Sequence, residues 1–419
     1  MEIVTKNAPH LRRPNANVTR MMRDVSIALL PLVLFAIYQH GVGGLLILLL
    51  SVLAMVATEY VYYQISDCIE RLNEAKTDTV QQIRDLRAER KNLKREWKNE
   101  KTDQSREAYE TFLKTYEEKM PRLKETLKQE KKEASSKDNL SFRLNNKSFT
   151  IYNFSVVTSG IIYGLTLPDT IPLSMVVIAA VVGLLLSKLI FGGMGQNIFN
   201  PAAFARVFVV LAFGAALSYD AFVDGAAGAT ALSALSENPL ADNVTEHYGY
   251  WAMFSGIGLP GSLGETSALL ILVGGIYLAL RKSFDIFVPI TYLATVFVLS
   301  YSVMLTQGLG FWYPAVHMLS GGLFFGAIYM ATDPITIPVT RPGRIYFAFG
   351  LGVITFVIRL FGNLPEGVVF AILIMNMFVP AIDYPKWAKS RFSLRAILIF
   401  AIVVVAAILI TNLGVHYGL

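Results

Sequence analysis

Apolar and polar residues fall along this chain in long blocks rather than in the short alternations of a soluble fold. Mainly apolar stretches recur near 25–41, 43–63, 150–166, 172–192, 203–218, 267–281, 285–304, 313–331, 345–361 and 366–383, with an eleventh near 394–415. A helix needs about 20 predominantly apolar residues to cross a bilayer core, and hydropathy blocks of this kind identify such helices. The pattern predicts an all-α polytopic membrane protein. One block, 64–147, breaks the series with dense charge.

Composition agrees: the chain is 54% hydrophobic with a mean hydropathy of +0.48, far above an ordinary soluble domain. The opening segment, 1–24, is polar and basic and lacks the apolar core of a secretory signal, so no processing is expected there. The single cysteine, Cys68, can build neither a disulfide within the chain, nor a zinc site, nor an iron–sulfur cluster.

Charge placement matters more than the net +6. With a cytoplasmic N-terminus, Lys6, Arg12, Arg13, Arg20 and Arg23 lie inside. So do the charged block, Arg281, Lys282, Arg341, Arg344, and the group Lys386, Lys389, Arg391 and Arg395. The opposite loops then hold no Lys or Arg and carry Asp169, Asp220, Asp224, Glu237, Asp242, Glu246, Glu265 and Glu366. This is the asymmetry of the positive-inside rule. It puts the loop 219–266 outside, and eleven spans put the C-terminus outside as well.

Two regions echo each other. "SGIIYGLTLPDTIPL" followed by "LIFGGMGQNIFNPAAFARVF" is answered about 160 residues later by "SGGLFFGAIYMATDPITIPV" followed by "RLFGNLPEGVVFAILIMNMFVP". Each half holds a Gly-rich helix ending at a Pro/Asp turn, then a span, then an FG turn leading to Asn and Pro. Five spans per half invert the second copy. The expected layout is about ten transmembrane helices in two inverted repeats, 25–63 with 148–218 and then 267–383, plus an extra helix at 394–415. Inverted repeats place a conduction path at their interface, beside interrupted helices. The turns "GGMGQNIFNP" and "GNLPEG" are candidates for such half-helices.

The charged block 64–147 mixes twenty-one basic with seventeen acidic residues. Its apolar residues fall at helical spacing, in Ile69, Leu72, Ile83, Leu86, Leu93 and Trp97, and again in Phe112, Tyr116, Leu123 and Leu127. The break "KTDQS" between them predicts a cytoplasmic antiparallel coiled-coil hairpin. Polar seam positions (Lys76, Thr79, Arg90) weaken it, and Pro121 is expected to kink the second helix. A docking arm for a cytoplasmic subunit is one role for such an insertion. Its acidic residues argue against nucleic-acid binding.

Within the spans or at their ends stand Glu59, Lys188, Arg206, Asp285, His317, Asp333 and Arg359. Ionisable groups in lipid are costly and are paired or functional. Most sit near span ends, where snorkelling into the interface accounts for them; Arg359 and His317 lie deeper.

In the outer loop, "VDGAAGATALSAL" presents an accessible hydroxyl at Thr230 between small neighbours. Gly228 and Ala229 leave it open, and Gly225 and Gly228 allow backbone angles that other residues resist. Asp224 can bind a metal of a modifying enzyme or cap a helix, and "TALSAL" begins a helix whose N-terminus favours an anion.

Together, "APHLRRPNANVTRMMRDVSIALLP", "ATEYVY", "LIFGGMGQNIFNPAAFARVF", "GLPGSLGETSALLILVGGIYL", "ATDPITIPVTRPGRIYFAFGLGVITFVIRLFG" and "LPEGVVFAILIMNMFVPAID" resemble the RnfD/NqrB family, and the RnfD branch more closely. Members are membrane subunits of ion-pumping electron-transfer complexes. The resemblance implies a covalent FMN, joined through its phosphate to a Thr hydroxyl by a flavin transferase that reads Asp, two variable residues, Ser or Thr, then Gly-Ala-Thr. Here that pattern runs from Asp224 through Gly228 and Ala229 to Thr230, departing at Ala227, where the family carries a hydroxyl.

The resemblance further implies the A, E and G subunits of an Rnf complex as membrane partners and the B and C subunits as cytoplasmic ones. It also implies residence in a bacterial cell membrane and electron relay coupled to Na⁺ or H⁺. No protein side chain is assigned as catalytic and no metal is expected. The alternatives are an NqrB-type component of a sodium-pumping NADH:quinone reductase, a flavin relay for extracellular electron transfer, or a redox-free transporter or channel on the same repeat.

Overall fold

The computed structural model describes residues 18–100, 102–134, 154–193, 195–214, 249–258, 261–320, 322–362, 367–384 and 392–418. Every regular element among these residues is helical, and the protein is an all-α, multi-pass membrane protein. The chain forms two compact units, Met1–Glu59 with Thr150–Leu419, and Tyr60–Phe149.

The first helix, α1 (Val18–Glu100), contains the first two predicted spans. Its apolar part, Val18–Ser66, has 49 residues, about twice what one crossing needs. The division falls at Gly41, whose φ of 60° and ψ of −139° interrupt the helix. Only glycine adopts such a conformation readily, so the sequence boundary between 41 and 43 is a real break.

In the unit Tyr60–Phe149, the second half of α1 meets α2 (Asp103–Ala134). Trp97 stacks on Tyr109 with ring centroids 5.4 Å apart, and the Arg90 guanidinium lies 4.7 Å from the centre of the Tyr116 ring. One heptad back along α1 thus pairs with one heptad forward along α2, which is antiparallel register. Arg90, expected to weaken this seam, is held there as a cation over an aromatic face. Helix α2 continues through Pro121.

In the other unit lie α3 (Ser155–Leu165), α4 (Leu173–Leu184), α5 (Pro201–Phe213), the short α6 (Tyr250–Ser255), α7 (Ala268–Arg281) and α8 (Phe287–Gln307). They are followed by α9 (Trp312–Leu319), α10 (Leu323–Phe325), α11 (Arg341–Phe361), α12 (Val368–Ile382) and α13 (Leu394–Gly418). Helix α4 runs on as a π-helical turn, Leu185–Leu189, and α10 as another, Gly326–Met330. Phe287–Gln307, Arg341–Phe361 and Leu394–Tyr417 are each long and apolar enough to cross a membrane, whereas α3, α5, α7 and α12 are shorter apolar helices. Small residues bring helices close, as transmembrane packing requires: a Cβ on Gly183 of α4 would stand 2.5 Å from the Ala205 Cβ of α5.

Two expectations are corrected here. The stretch 313–331 is not one helix; it breaks between α9 and α10, where Gly322 takes a φ of 64°. And the described residues of "GGMGQNIFNP" form turns with Gly192, Gly193 and Gly195 at positive φ, not a half-helix. The interrupted helix belongs to the Gly-rich segment before the Asp/Pro turn, because 320–322, Ser-Gly-Gly, is where the helix can be left without steric cost.

Helix α13 packs on α8 and α11. Phe400 sits between Tyr346 and Phe349, with centroids 5.4 and 5.1 Å away. The Asn412 amide donates to Ser302 Oγ (3.1 Å) and accepts from Thr306 Oγ1 (2.8 Å).

Candidate functional site

The N-terminal end of α5 builds one side of a pocket at the junction of the two halves. Asn200 caps α5: its Oδ1 accepts from the amides of Ala202 and Ala203 (3.0 and 3.2 Å), and Pro201 occupies the first helical position. Its remaining groups reach the other half. Asn200 Nδ2 donates to the carbonyl of Met330 (3.1 Å), at the end of the second π turn, and its backbone N–H donates to Asn376 Oδ1 (3.1 Å). Asn376, on α12, donates in turn to the carbonyl of Thr336 (3.1 Å). Two asparagines therefore lock α5, α12 and the 330–336 turn together with every amide group used.

The pocket enclosed by these elements holds about 640 Å³ of empty space, its mouth included. Among its lining residues are Thr158, Lys188, Asn197, Thr332 and Asp333, with Met22 and Tyr329 on the apolar side. Both π turns contribute, through Lys188 and Tyr329; such turns displace a side chain from the ordinary helical register and recur at functional sites.

Lys188 Nζ donates to Glu59 Oε1 at 2.8 Å, with both side chains fully buried. Neither snorkels, contrary to expectation: they form an internal ion pair between α1 and the first π turn. Asn197 is 8% exposed, and its Oδ1 has no protein donor. Asp333 accepts only weak local bonds, from the Ile335 amide (3.3 Å) and Thr336 Oγ1 (3.4 Å). A neutral pair, an open amide oxygen and a carboxylate suit a small cation or water better than an anion.

Around the mouth lies a second set of charges. Asp24, fully buried, receives Ser283 Oγ (2.6 Å) and Arg281 through Nη2 (3.1 Å) and Nε (3.3 Å), tying α1 to the end of α7. Asp285 pairs with Arg344. In the 166–172 turn, the His40 hydrogen bond (3.0 Å) holds the Asp169 carboxyl below its ordinary value of 3.8.

A further polar cluster occupies the break between α9 and α10. Arg359, on α11 and 3% exposed, donates Nη1 to the carbonyl of His317 (2.6 Å) and Nη2 to that of Ser320 (3.0 Å). A guanidinium at the C-terminal end of α9 meets the negative end of its dipole. On the other side of the break, a Cβ on Gly322 would stand 2.6 Å from the Glu265 carboxyl carbon. The His317 ring lies edge-on to Tyr313 and Phe356, at 4.6 and 5.1 Å. Both its nitrogens, Tyr313 Oη and Ser320 Oγ are buried without a protein partner. Orphaned groups of this kind cost about 1–3 kcal/mol each. Arg206, on α5, is 1% exposed.

Of the residues singled out in the sequence, Asp224, Ala227, Gly228, Ala229 and Thr230 lie outside the described residues. Glu59 and Lys188 come together, as do Asp285 and Arg344. His317 and Arg359 also meet, though through a backbone carbonyl rather than the ring. Sequence reasoning missed Asn197, Asn200 and Asn376; for the first two the signal was a pair of asparagines flanking "IF" before a Pro at a helix start.

Residues 4–77 and 138–392 match the family described as NQR2, RnfD, RnfE family. The chain belongs to that family. The D subunit of a proton-translocating ferredoxin:NAD(+) oxidoreductase complex from Clostridium ljungdahlii is 38% identical over 251 residues, 58% of this chain and 75% of that protein. The D subunit of a Na(+)-translocating ferredoxin:NAD(+) oxidoreductase complex from Acetobacterium woodii is 35% identical over 253 residues, 59% and 76% of the two chains. The B subunit of the Na(+)-translocating NADH-quinone reductase of Chromohalobacter salexigens is 38% identical over 242 residues, covering 55% of this chain and 58% of its own length. The NQR2, RnfD, RnfE match includes Glu59, Lys188, Asn197, Asn200, His317, Arg359 and Asn376, and leaves out 78–137 and α13.

Proposed function

We infer that this chain is a membrane subunit of a multi-subunit, ion-translocating oxidoreductase of the ferredoxin:NAD (Rnf) type. It carries FMN on Thr230 and lines part of a Na⁺ or H⁺ path. Membership of a family whose relatives are named as subunits of ion-translocating oxidoreductases carries this reading. The ferredoxin:NAD relatives are covered over 75% and 76% of their length, against 58% for the NADH-quinone reductase relative, which favours the Rnf branch. The N-terminus is cytoplasmic, the 219–266 loop is extracytoplasmic, and other Rnf membrane and cytoplasmic subunits complete the assembly.

FMN supplies the electron-carrying chemistry when bound; the protein sets its position and surroundings. Thr230 would hold the phosphate, within the pattern that begins at Asp224 and continues through Gly228 and Ala229, for a flavin transferase to read. In the pocket between the halves, Asn197 Oδ1 and Asp333 offer oxygens to a partly dehydrated cation. The Lys188–Glu59 pair keeps the wall neutral overall, and Asn200 and Asn376 hold the two halves in register.

The test is intact mass and in-gel flavin fluorescence of the full-length chain produced with its flavin transferase. An FMN adduct in the wild type that disappears in Thr230→Ala is expected. A wild-type protein that supports electron transfer with no adduct would overturn the reading. Neighbouring genes separate the two branches, since a ferredoxin-like subunit rich in cysteine accompanies Rnf.

A further inference from the structure

We propose that the break between α9 and α10 is the seat of the flavin ring, with Tyr313, His317 and Ser320 as its hydrogen-bonding residues and Arg359 as its counter-charge. The proposal rests on the covalent FMN inferred above and extends it to residues that the attachment pattern does not include.

Four observations carry it. Three side chains in one shell keep unused hydrogen-bonding atoms while buried: Tyr313 at 0% exposure, His317 at 1% and Ser320 at 8%. Buried polar groups without a partner are rare in native folds, and each asks for an explanation. The shell is rich in donors, with two hydroxyls, a ring N–H and a guanidinium already seated on the carbonyls of His317 and Ser320. That chemistry fits a ring bearing carbonyl oxygens and nitrogen acceptors that becomes negatively charged on reduction, and a nearby cation favours the reduced form. Aromatic edges from Tyr313 and Phe356 frame the place, which suits a flat aromatic ligand. Finally, chain continuity brings the tether to this point. The segment bearing Thr230 rejoins the described structure at Gly249, and α6, directly after it, packs on α9, the helix of Tyr313 and His317. At up to ~3.5 Å per residue the intervening chain is long enough to reach.

Arg359 also satisfies two carbonyls at the end of α9, so its removal would disturb the fold. Tyr313→Phe is the better probe, because it deletes a hydroxyl that no protein group uses. The full-length chain is purified with its adduct, and the flavin absorbance spectrum and midpoint potential are measured for wild type, Tyr313→Phe and His317→Gln. The same substitutions are made in a Thr230→Ala background, where thermal stability is read.

A roughly tenfold loss of preference for the reduced ring is expected in Tyr313→Phe, which lowers a two-electron potential by about 30 mV. A shifted flavin spectrum should accompany it. In the adduct-free background, Tyr313→Phe should leave thermal stability unchanged or raised. If the adduct is present in all three proteins and spectrum and potential are unmoved, the shell holds water only and the proposal falls while the FMN reading stands. If the wild type carries no adduct, both fall. Loss of stability in the adduct-free background would mean the hydroxyl serves the fold, and would also overturn the proposal.

Discussion

At the scale of single residues, the membrane interior is the most demanding environment in this protein, and the Glu59–Lys188 pair shows how it is met. Each charge alone would be costly; together, at 2.8 Å and fully buried, they cancel. Lys188→Met would leave the carboxylate of Glu59 buried beside an apolar chain and should destabilise the protein by about 3–5 kcal/mol. Combining it with Glu59→Gln should recover most of that loss, since a neutral pair of similar shape replaces the ionic one. Thermal unfolding of the purified chain in detergent, run as a double-mutant cycle, reads the coupling directly. Equal losses that simply add would show that the two side chains act independently. Both charges were visible in the sequence, but their pairing was not. They lie 129 positions apart, and periodicity within a helix carries no information about which helices touch.

Among elements, hydropathy located the apolar helices well because the bilayer constrains length and composition together. It even divided the first two at Gly41, where the break is observed. It could not divide 313–331. Apolar character continues across 320–322, and what breaks the helix is backbone conformation and the neighbouring Glu265, neither of which a hydropathy window measures. Gly322→Ala tests this account. An L-residue at a φ of 64° costs about 1–2 kcal/mol, and the new Cβ would stand 2.6 Å from the Glu265 carboxyl carbon. Both effects predict a lower unfolding temperature. Glu265→Ala in the same chain should relieve the steric share and leave the conformational share. If Gly322→Ala is as stable as wild type, the break is soft rather than fixed. The hairpin repeats the lesson from the other side. Its register was legible in the apolar spacing, yet Arg90 counted as a defect because a sequence pattern cannot see the Tyr116 ring across the seam.

For the whole molecule, the family match divides the chain into what it shares and what it adds. The matched residues, 4–77 and 138–392, contain the asparagine lock, the buried ion pair and the broken helix, while 78–137 and α13 lie beyond them. The added hairpin has its own contacts, with Trp97 on Tyr109 and Arg90 on Tyr116, inside a separate compact unit. The determinants of the membrane unit are all local to it: Asn200 with Asn376, Lys188 with Glu59, and Asp24 with Arg281 and Ser283. None uses a residue of 78–137. Replacing 78–137 by a short Gly/Ser linker should therefore leave membrane insertion, monodispersity in detergent and the FMN adduct as in wild type. The cost of loop closure changes only slowly with linker length, by about 0.6 kcal/mol for each doubling. Gel filtration and intact mass of the shortened chain give the answer together. If insertion or the adduct is lost, the hairpin supports the folding of the membrane unit. If both survive and the protein no longer joins its complex, the hairpin's contribution lies in assembly, the role suggested by a self-contained charged arm on the cytoplasmic side of a membrane protein.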